Sequence, residues 1–181
     1  DLYLSIRRQR QMCIRDRVFL SLFDDAPTAA WLDSSGNGGT LSVLANSAGP
    51  LARTWLPQVD SSAAFFAQLS TALAEPVEIP ADWPCDFALG WVGTLGYGIE
   101  DIARTRREHP DAALLFADRA VVVDHTRARA YAMALLPEPS GDTRDAHAEQ
   151  LEWLDTTVAE VNRIAVETVS YTHLTLPTNR E

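Results

Sequence analysis

The chain has 181 residues, 46% of them apolar, and a formal net charge of −10 from 15 arginines, no lysine and 25 acidic residues. That apolar content, with five tryptophans, specifies a folded globule and excludes a disordered chain. The acidic balance repels phosphate, and no apolar run reaches the ~18–20 residues that span a bilayer.

The two ends stand apart from the rest. Residues 1–17 carry five arginines and two aspartates, residues 169–181 one arginine and one glutamate, and residues 18–168 between them a net charge of −13. The strings RRQRQMCIRDR and VSYTHLTLPTNRE resemble translated sequencing-adapter sequence. Such segments are set aside before fold reasoning. The domain is therefore expected over residues 18–168, with no stable contacts from either end. A basic arm for nucleic acid or anionic lipid is the other reading of Arg7 to Arg17, and no second basic patch supports it.

Val18 to Asp24 opens with an apolar turn or two of helix. Ala29 to Asp33 reads as a strand, closed by the Ser34-Ser35-Gly36-Asn37-Gly38-Gly39 turn cluster. Thr40 to Ala45 is its return strand, and Leu51 to Leu56 a further extended piece. Asp60 or Ser61 caps a helix whose Phe65, Phe66, Leu69 and Leu73 share one face. Pro76 ends it, and Pro80 and Pro84 keep the next stretch extended. Phe87 to Val92 reads as a strand and Gly96 to Arg107 as loop or short helix.

Ala112 to Phe116 and Ala120 to Val123 are strand candidates. Asp124-His125-Thr126-Arg127 turns the chain into a strand from Arg129 to Leu135. On that strand Tyr131, Met133 and Leu135 share one face, and Ala130, Ala132 and Ala134 leave the other open to a closely packed layer. A long helix from Asp145 to about Thr168 carries Leu151, Leu154, Val158, Val161 and Ala165 as its apolar stripe. The order of elements defines an α+β domain, mostly antiparallel.

Little of this carries catalytic chemistry. Gly90, Gly93 and Gly96 recur every three residues between Trp91, Leu95 and Tyr97. That spacing fits neither a phosphate loop nor a dinucleotide fingerprint, and suits backbone held against a strand, a ring or an apolar ligand. His109, His125 and His147 are scattered, with no metal-ligand spacing. No nucleophile elbow surrounds any serine. Asp111 is expected to shape a turn and Asp118 with Arg119 to form a surface pair. Cys85 reads as a core filler, and a single cysteine of this kind suits a reducing, cytoplasmic setting.

Taken as a set, four segments carry a resemblance. They are Trp31 to Ser35, Ser42-Val43-Leu44-Ala45, Gly90 to Gly98, and Pro110 to Arg119 with Asp124-His125. In order and spacing they resemble the N-terminal region of the component I family of aminodeoxychorismate and anthranilate synthases, over roughly residues 18–168. Ala45, Thr94 and Gly98 depart from the family pattern, which has Gly, Tyr and Glu there.

The resemblance implies the non-catalytic N-terminal part of a chorismate-utilising enzyme, with no catalytic or metal residue in this chain. The implied partners are a C-terminal chorismate-binding domain, where Mg²⁺ would be held, and a glutamine amidotransferase. It also implies a tryptophan pocket at Leu32, Asp33 and Ser34, with Gly90, Trp91, Gly93, Gly96 and Tyr97 as structural or interface positions. Trp91, Leu95 and Tyr97 are expected to face the C-terminal domain. The aminodeoxychorismate (folate-directed) form is favoured over anthranilate synthase, and a tryptophan-binding module without enzymatic partnership is the other class. From the residues alone, Asp33 and Ser34 equally start a turn.

Overall fold

A computed structural model describes residues 14–34, 39–96, 99 and 109–171. Among these residues it has two antiparallel sheets and three α-helices in the order α1 (14–22), β1 (Ala29–Asp33), β2 (Leu41–Asn46), β3 (Arg53–Trp55), α2 (Ser62–Leu73), β4 (Gly90–Leu95), β5 (Ala112–Ala117), β6 (Arg119–Asp124), β7 (Arg129–Ala134) and α3 (Arg144–Tyr171). One sheet runs β1-β2-β6-β7 and the other β3-β5-β4. The α+β, antiparallel reading is what the chain forms.

Strand alternation sets the layers. Val43 and Ala45 of β2, Ala120 and Val122 of β6 and Met133 of β7 point inward onto Val92 of β4 and Leu115 and Ala117 of β5. This is a face-to-face sandwich. On the outer side of the four-stranded sheet, Leu44 and Val121 meet Val18, Phe23 and Ile164 from α1 and α3. Beyond the three-stranded sheet, Leu114 and Trp55 meet Phe65 and Leu69 of α2. Helix, sheet, sheet and helices thus stack, and β6 is buried on both faces.

Several local signals act as they read. Ser61 is the N-cap of α2, its hydroxyl accepting from the Ala64 amide at 3.4 Å. Asp124 closes the β6–β7 turn by accepting from the Thr126 and Arg127 amides at 2.9 and 2.7 Å. The alanine face of β7 is the one against which α3 packs.

Other details differ, each for a physical reason. Strand β4 begins at Gly90 rather than Phe87, because the Phe87 carbonyl is taken by Trp83 Nε1 at 2.6 Å and Cys85 Sγ at 3.5 Å. On α2 only Phe65 is buried, while Phe66 and Leu73 face solvent. On α3 the buried face carries Gln150, Thr157 and Ile164, and Leu151 and Val158 are exposed. The residue-17 boundary is also crossed. Arg15 is 2% exposed, and Arg17 reaches Glu167 at 3.3 Å.

Two turn positions make tests. Ala128 closes the β6–β7 turn at φ 52°, a left-handed conformation that costs a β-carbon roughly 1–2 kcal/mol. Ala128→Gly is expected to stabilise the protein by up to about 1 kcal/mol in urea denaturation, after glycine's greater freedom in the unfolded chain is set against that relief. A loss of stability would contradict the strain. Gly93 has φ 152°, and a β-carbon there would lie 1.9 Å from the Ala113 carbonyl oxygen of β5. Gly93→Ala is expected to cost more than about 2 kcal/mol, because backbone must move to admit the methyl. A change within experimental error would show that β4 and β5 are not so close.

Candidate functional site

The polar cluster under α1 is built by strand register. Asp33 of β1 lies directly opposite Ser42 of β2, and Leu41 opposite Asp124. His125 follows Asp124 and is tied back by its amide, which donates to the Thr40 carbonyl at 2.8 Å. Asp33 and Ser42 therefore share the outer face of the four-stranded sheet with His125 at its rim.

The hydroxyl of Ser42 joins the group. It donates to Asp33 Oδ1 at 2.8 Å and lies 2.7 Å from His125 Nε2. Its one proton is given to the carboxylate, so the imidazole must be the donor at Nε2. Arg15 donates to Asp33 Oδ1 at 2.5 Å and to Ser42 Oγ at 3.1 Å. This is not a hydrolytic triad. Serine stands between histidine and aspartate, and Ser42 is wholly buried. The arrangement can hold a cation; it cannot present a nucleophile.

The three residues that motif reading puts in one pocket separate here. Only Asp33 joins the cluster. The Ser34 hydroxyl donates to the Leu41 carbonyl and closes the β1–β2 connection. Leu32 is 39% exposed on the edge strand. Ser42 and His125 were not assigned from sequence, and the fourth member, Arg15, lies in a stretch set aside as foreign.

The glycine-rich segment sits on β4. Gly93 and Gly96 press on β5 and its approach, where the Gly96 amide donates to the Asp111 carbonyl at 2.7 Å. Trp91 is half-buried against Trp55 and Phe116 beneath α2. Leu95 is 46% exposed. Tyr97 lies outside the described residues. Asp118 and Arg119 are buried, not a surface pair. Asp118 accepts from Gln150, and Arg119 reaches Glu149 at 3.3 Å. Asp111 is buried too and accepts from the Val59 amide at 2.8 Å.

Two cavities among the described residues are prominent. The larger, about 1060 Å³, lies between the proline segment and the ends of β3 and β7, with Arg53, Glu75, Trp83, Phe116 and Leu135 on its walls. Its charged pair is closed on itself, with Arg53 bonding both oxygens of Glu75 at 3.0 and 2.5 Å and holding that carboxyl below the usual range. The smaller, about 340 Å³, opens between α3 and the alanine face of β7 and has Arg15 in its wall. No three His, Cys, Asp or Glu side chains converge as a metal site among the described residues. None of the described helices is long and apolar enough to cross a membrane.

Fold and site together define an α+β sandwich module with a polar cluster held between one sheet and its covering helix. Comparison with known proteins gives it a kinship. The chain is 37% identical over 170 residues to the aminodeoxychorismate synthase of Streptomyces griseus, a match of 82% of this chain and 22% of that protein. It is 35% identical over 164 residues to the enzyme of the same name from Streptomyces pristinaespiralis, covering 77% and 22%. A shorter match, 37% over 65 residues, is to the chloroplastic aminodeoxychorismate synthase of Arabidopsis thaliana. No family model matches the chain. The chain spans about a fifth of the length of its two Streptomyces relatives.

The pH behaviour of the cluster is testable. Burial lowers the pKa of His125 from 6.5, Arg15 lowers it further, and Asp33 and Asp124 oppose both. The unfolded chain therefore binds the proton more readily. Stability should be full above the unfolded value and fall as pH drops below about 6.5, until the folded imidazole is protonated too. Thermal melts from pH 7.5 to 5.5 should show this slope in the wild type and a flatter one in His125→Gln. Equal slopes would mean that His125 is not the titrating group.

Proposed function

We propose that this chain is the N-terminal, non-catalytic part of an aminodeoxychorismate synthase, the enzyme that aminates chorismate toward para-aminobenzoate and folate. The observation that carries the reading is the match to two such enzymes over about four-fifths of this chain at 35–37% identity. Chorismate chemistry, with its Mg²⁺ and catalytic lysine, is assigned to the C-terminal domain of the longer protein. This chain has no lysine at all. The ammonia would come from a glutamine amidotransferase subunit or domain. A reducing, cytoplasmic setting suits the buried thiol of Cys85.

Within that protein this module is assigned a binding role. Asp33 would take the ammonium of tryptophan, because a carboxylate that keeps 40% of its side-chain surface in water can receive a charged head without full desolvation. This favours a tryptophan-binding module as the second reading, should the chemistry of the whole protein prove different.

The test has two arms. The purified chain, given chorismate, Mg²⁺ and ammonium, should form no product. The complete protein from the same gene should form 4-amino-4-deoxychorismate under the same conditions. Turnover by the chain alone would overturn the non-catalytic assignment, and accumulation of anthranilate by the complete protein would replace the folate reading with the tryptophan-pathway one.

A further inference from the structure

One row of side chains across the three-stranded sheet is built around a cation. Strand register sets Arg53 of β3 opposite Phe116 of β5, and Phe116 opposite Trp91 of β4. The Arg53 guanidinium lies 4.3 Å from the centre of the Phe116 ring and 5.5 Å from that of Trp91. A guanidinium laid on rings is fixed in place, and its forked edge is aimed in one direction. In that direction stands Glu75, whose two oxygens take both fork nitrogens at 3.0 and 2.5 Å. The fork is thus a seat of the shape that a planar carboxylate requires.

Glu75 is weakly bound to that seat. It follows Ala74, the C-cap of α2, where the helix presents its negative end and disfavours an acid. Its side chain keeps 48% of its surface in water, and its carboxylate meets no other donor among the described residues. An exposed pair of this kind adds little to stability. Arg53 also has the two rings, so its placement does not depend on Glu75 alone.

The cavity of about 1060 Å³ includes this pair in its wall. Its other walls are mainly apolar, with Leu51, Trp83, Leu89 and Leu135 among them, and the last three pack on the core between the sheets. Arg53 is the one basic side chain among the described residues on these walls, in a chain of net charge −10. The Leu51 and Leu135 amides both donate to Asp118, just before β6, whereas His125 follows the end of β6. The cavity and the polar cluster around Ser42 therefore lie at opposite ends of that strand. An anion anchor opening on apolar walls suits a carboxylate with an apolar body.

We propose that this cavity binds a small molecule with a carboxylate and an apolar body, that the ring-stacked fork of Arg53 anchors it, and that Glu75 is the carboxylate it replaces there. The competition follows from linkage: two carboxylates that share one fork reduce each other's occupancy by the same factor. Glu75→Gln removes the competing charge and leaves the exposed end of α2 otherwise as it is.

Octanoate and its neutral isostere octanamide, titrated calorimetrically into the purified chain, test this. Glu75→Gln should bind octanoate at least about tenfold more tightly than octanamide, and more tightly than the wild type binds octanoate. In Arg53→Gln the preference for octanoate over octanamide should vanish. If Arg53→Gln does not fold, Arg53→Lys in the Glu75→Gln background should weaken octanoate binding, because it keeps the charge and loses the fork. Unchanged affinity there, or a preference that survives Arg53→Gln, overturns Arg53 as the anchor. Failure of Glu75→Gln to bind octanoate, or equal binding of octanoate and octanamide, overturns the carboxylate site. Equal octanoate affinity in the wild type and Glu75→Gln overturns the competition. Tighter binding of octylammonium than of octanoate by the wild type would assign recognition to Glu75 and Glu78 on the same wall and overturn the proposal.

Discussion

Strand β5 is pinned at both ends by a buried aspartate, and the sandwich depends on that pair of pins. Asp111 precedes the strand and Asp118 follows it. Asp118 is wholly buried and takes the Leu51 amide and Gln150 Nε2, each at 2.8 Å, on one carboxylate oxygen. Asp111 takes the Val59 amide at 2.8 Å. Leu51 and Val59 flank β3, which is only three residues long. The carboxylates prolong the β3–β5 ladder past its last backbone pair, on the line of register set by Arg53 opposite Phe116. A strand of that length would otherwise have little to hold it on the sheet edge. Burying a carboxylate is costly, and donors aimed at it are what offset the cost.

The same residue marks the point where the chain changes sheets. Strand β5 belongs to one layer and β6 to the other, and Asp118 is the single residue between them. Its backbone carbonyl accepts from the Leu135 amide at 2.7 Å, which holds the end of β7 as well. Gly49 must pass close by, since a β-carbon there would lie 2.1 Å from the carboxylate. The approach to β3, the end of β7 and α3, the last through Gln150, therefore all meet at this one residue between β5 and β6. This is why the buried face of α3 includes polar residues. Hydrophobic periodicity selects Leu151, Leu154 and Val158, but the helix is rotated so that Gln150 can reach Asp118, which turns Leu151 and Val158 to solvent.

What the sequence disclosed and what it hid divide along that line. Local signals were legible: the strands β1, β2, β5, β6 and β7 to within a residue or two, the Ser61 cap, the Asp124 turn and the small-residue face of β7. Each depends on residues within a few positions of one another. The interactions that were illegible join distant residues through a burial pattern that composition does not encode. Asp118 read as a surface residue because aspartate is rarely buried without a partner, and its partners lie 67 and 32 positions away. The start of β4 was misplaced for a subtler reason. Phe87 has the side chain of a strand residue, but its carbonyl is occupied by Trp83 and Cys85. At the polar cluster, Asp33 was legible by resemblance alone. Ser42 and His125 are separated by 83 positions, and only the pairing of β2 with β6 brings them together.

That pairing also explains why a polar cluster can exist between a sheet and its covering helix. A charge enclosed there is tolerated only where every group is matched. Burial is graded across the cluster: Ser42 is sealed, Arg15 nearly so, and Asp33 keeps 40% of its side-chain surface in water because β1 is an edge strand. The cost of holding the ion pair is thus lowered at the end where the carboxylate meets solvent, and the attraction is least screened at the end where the guanidinium lies. Placed on a central strand, the same three residues would be sealed and unreachable. Moved wholly to the surface, they would bind a cation no better than an ordinary exposed pair. The edge position thus gives the cluster a buried floor at Ser42 and Arg15 and a solvent-facing rim at Asp33.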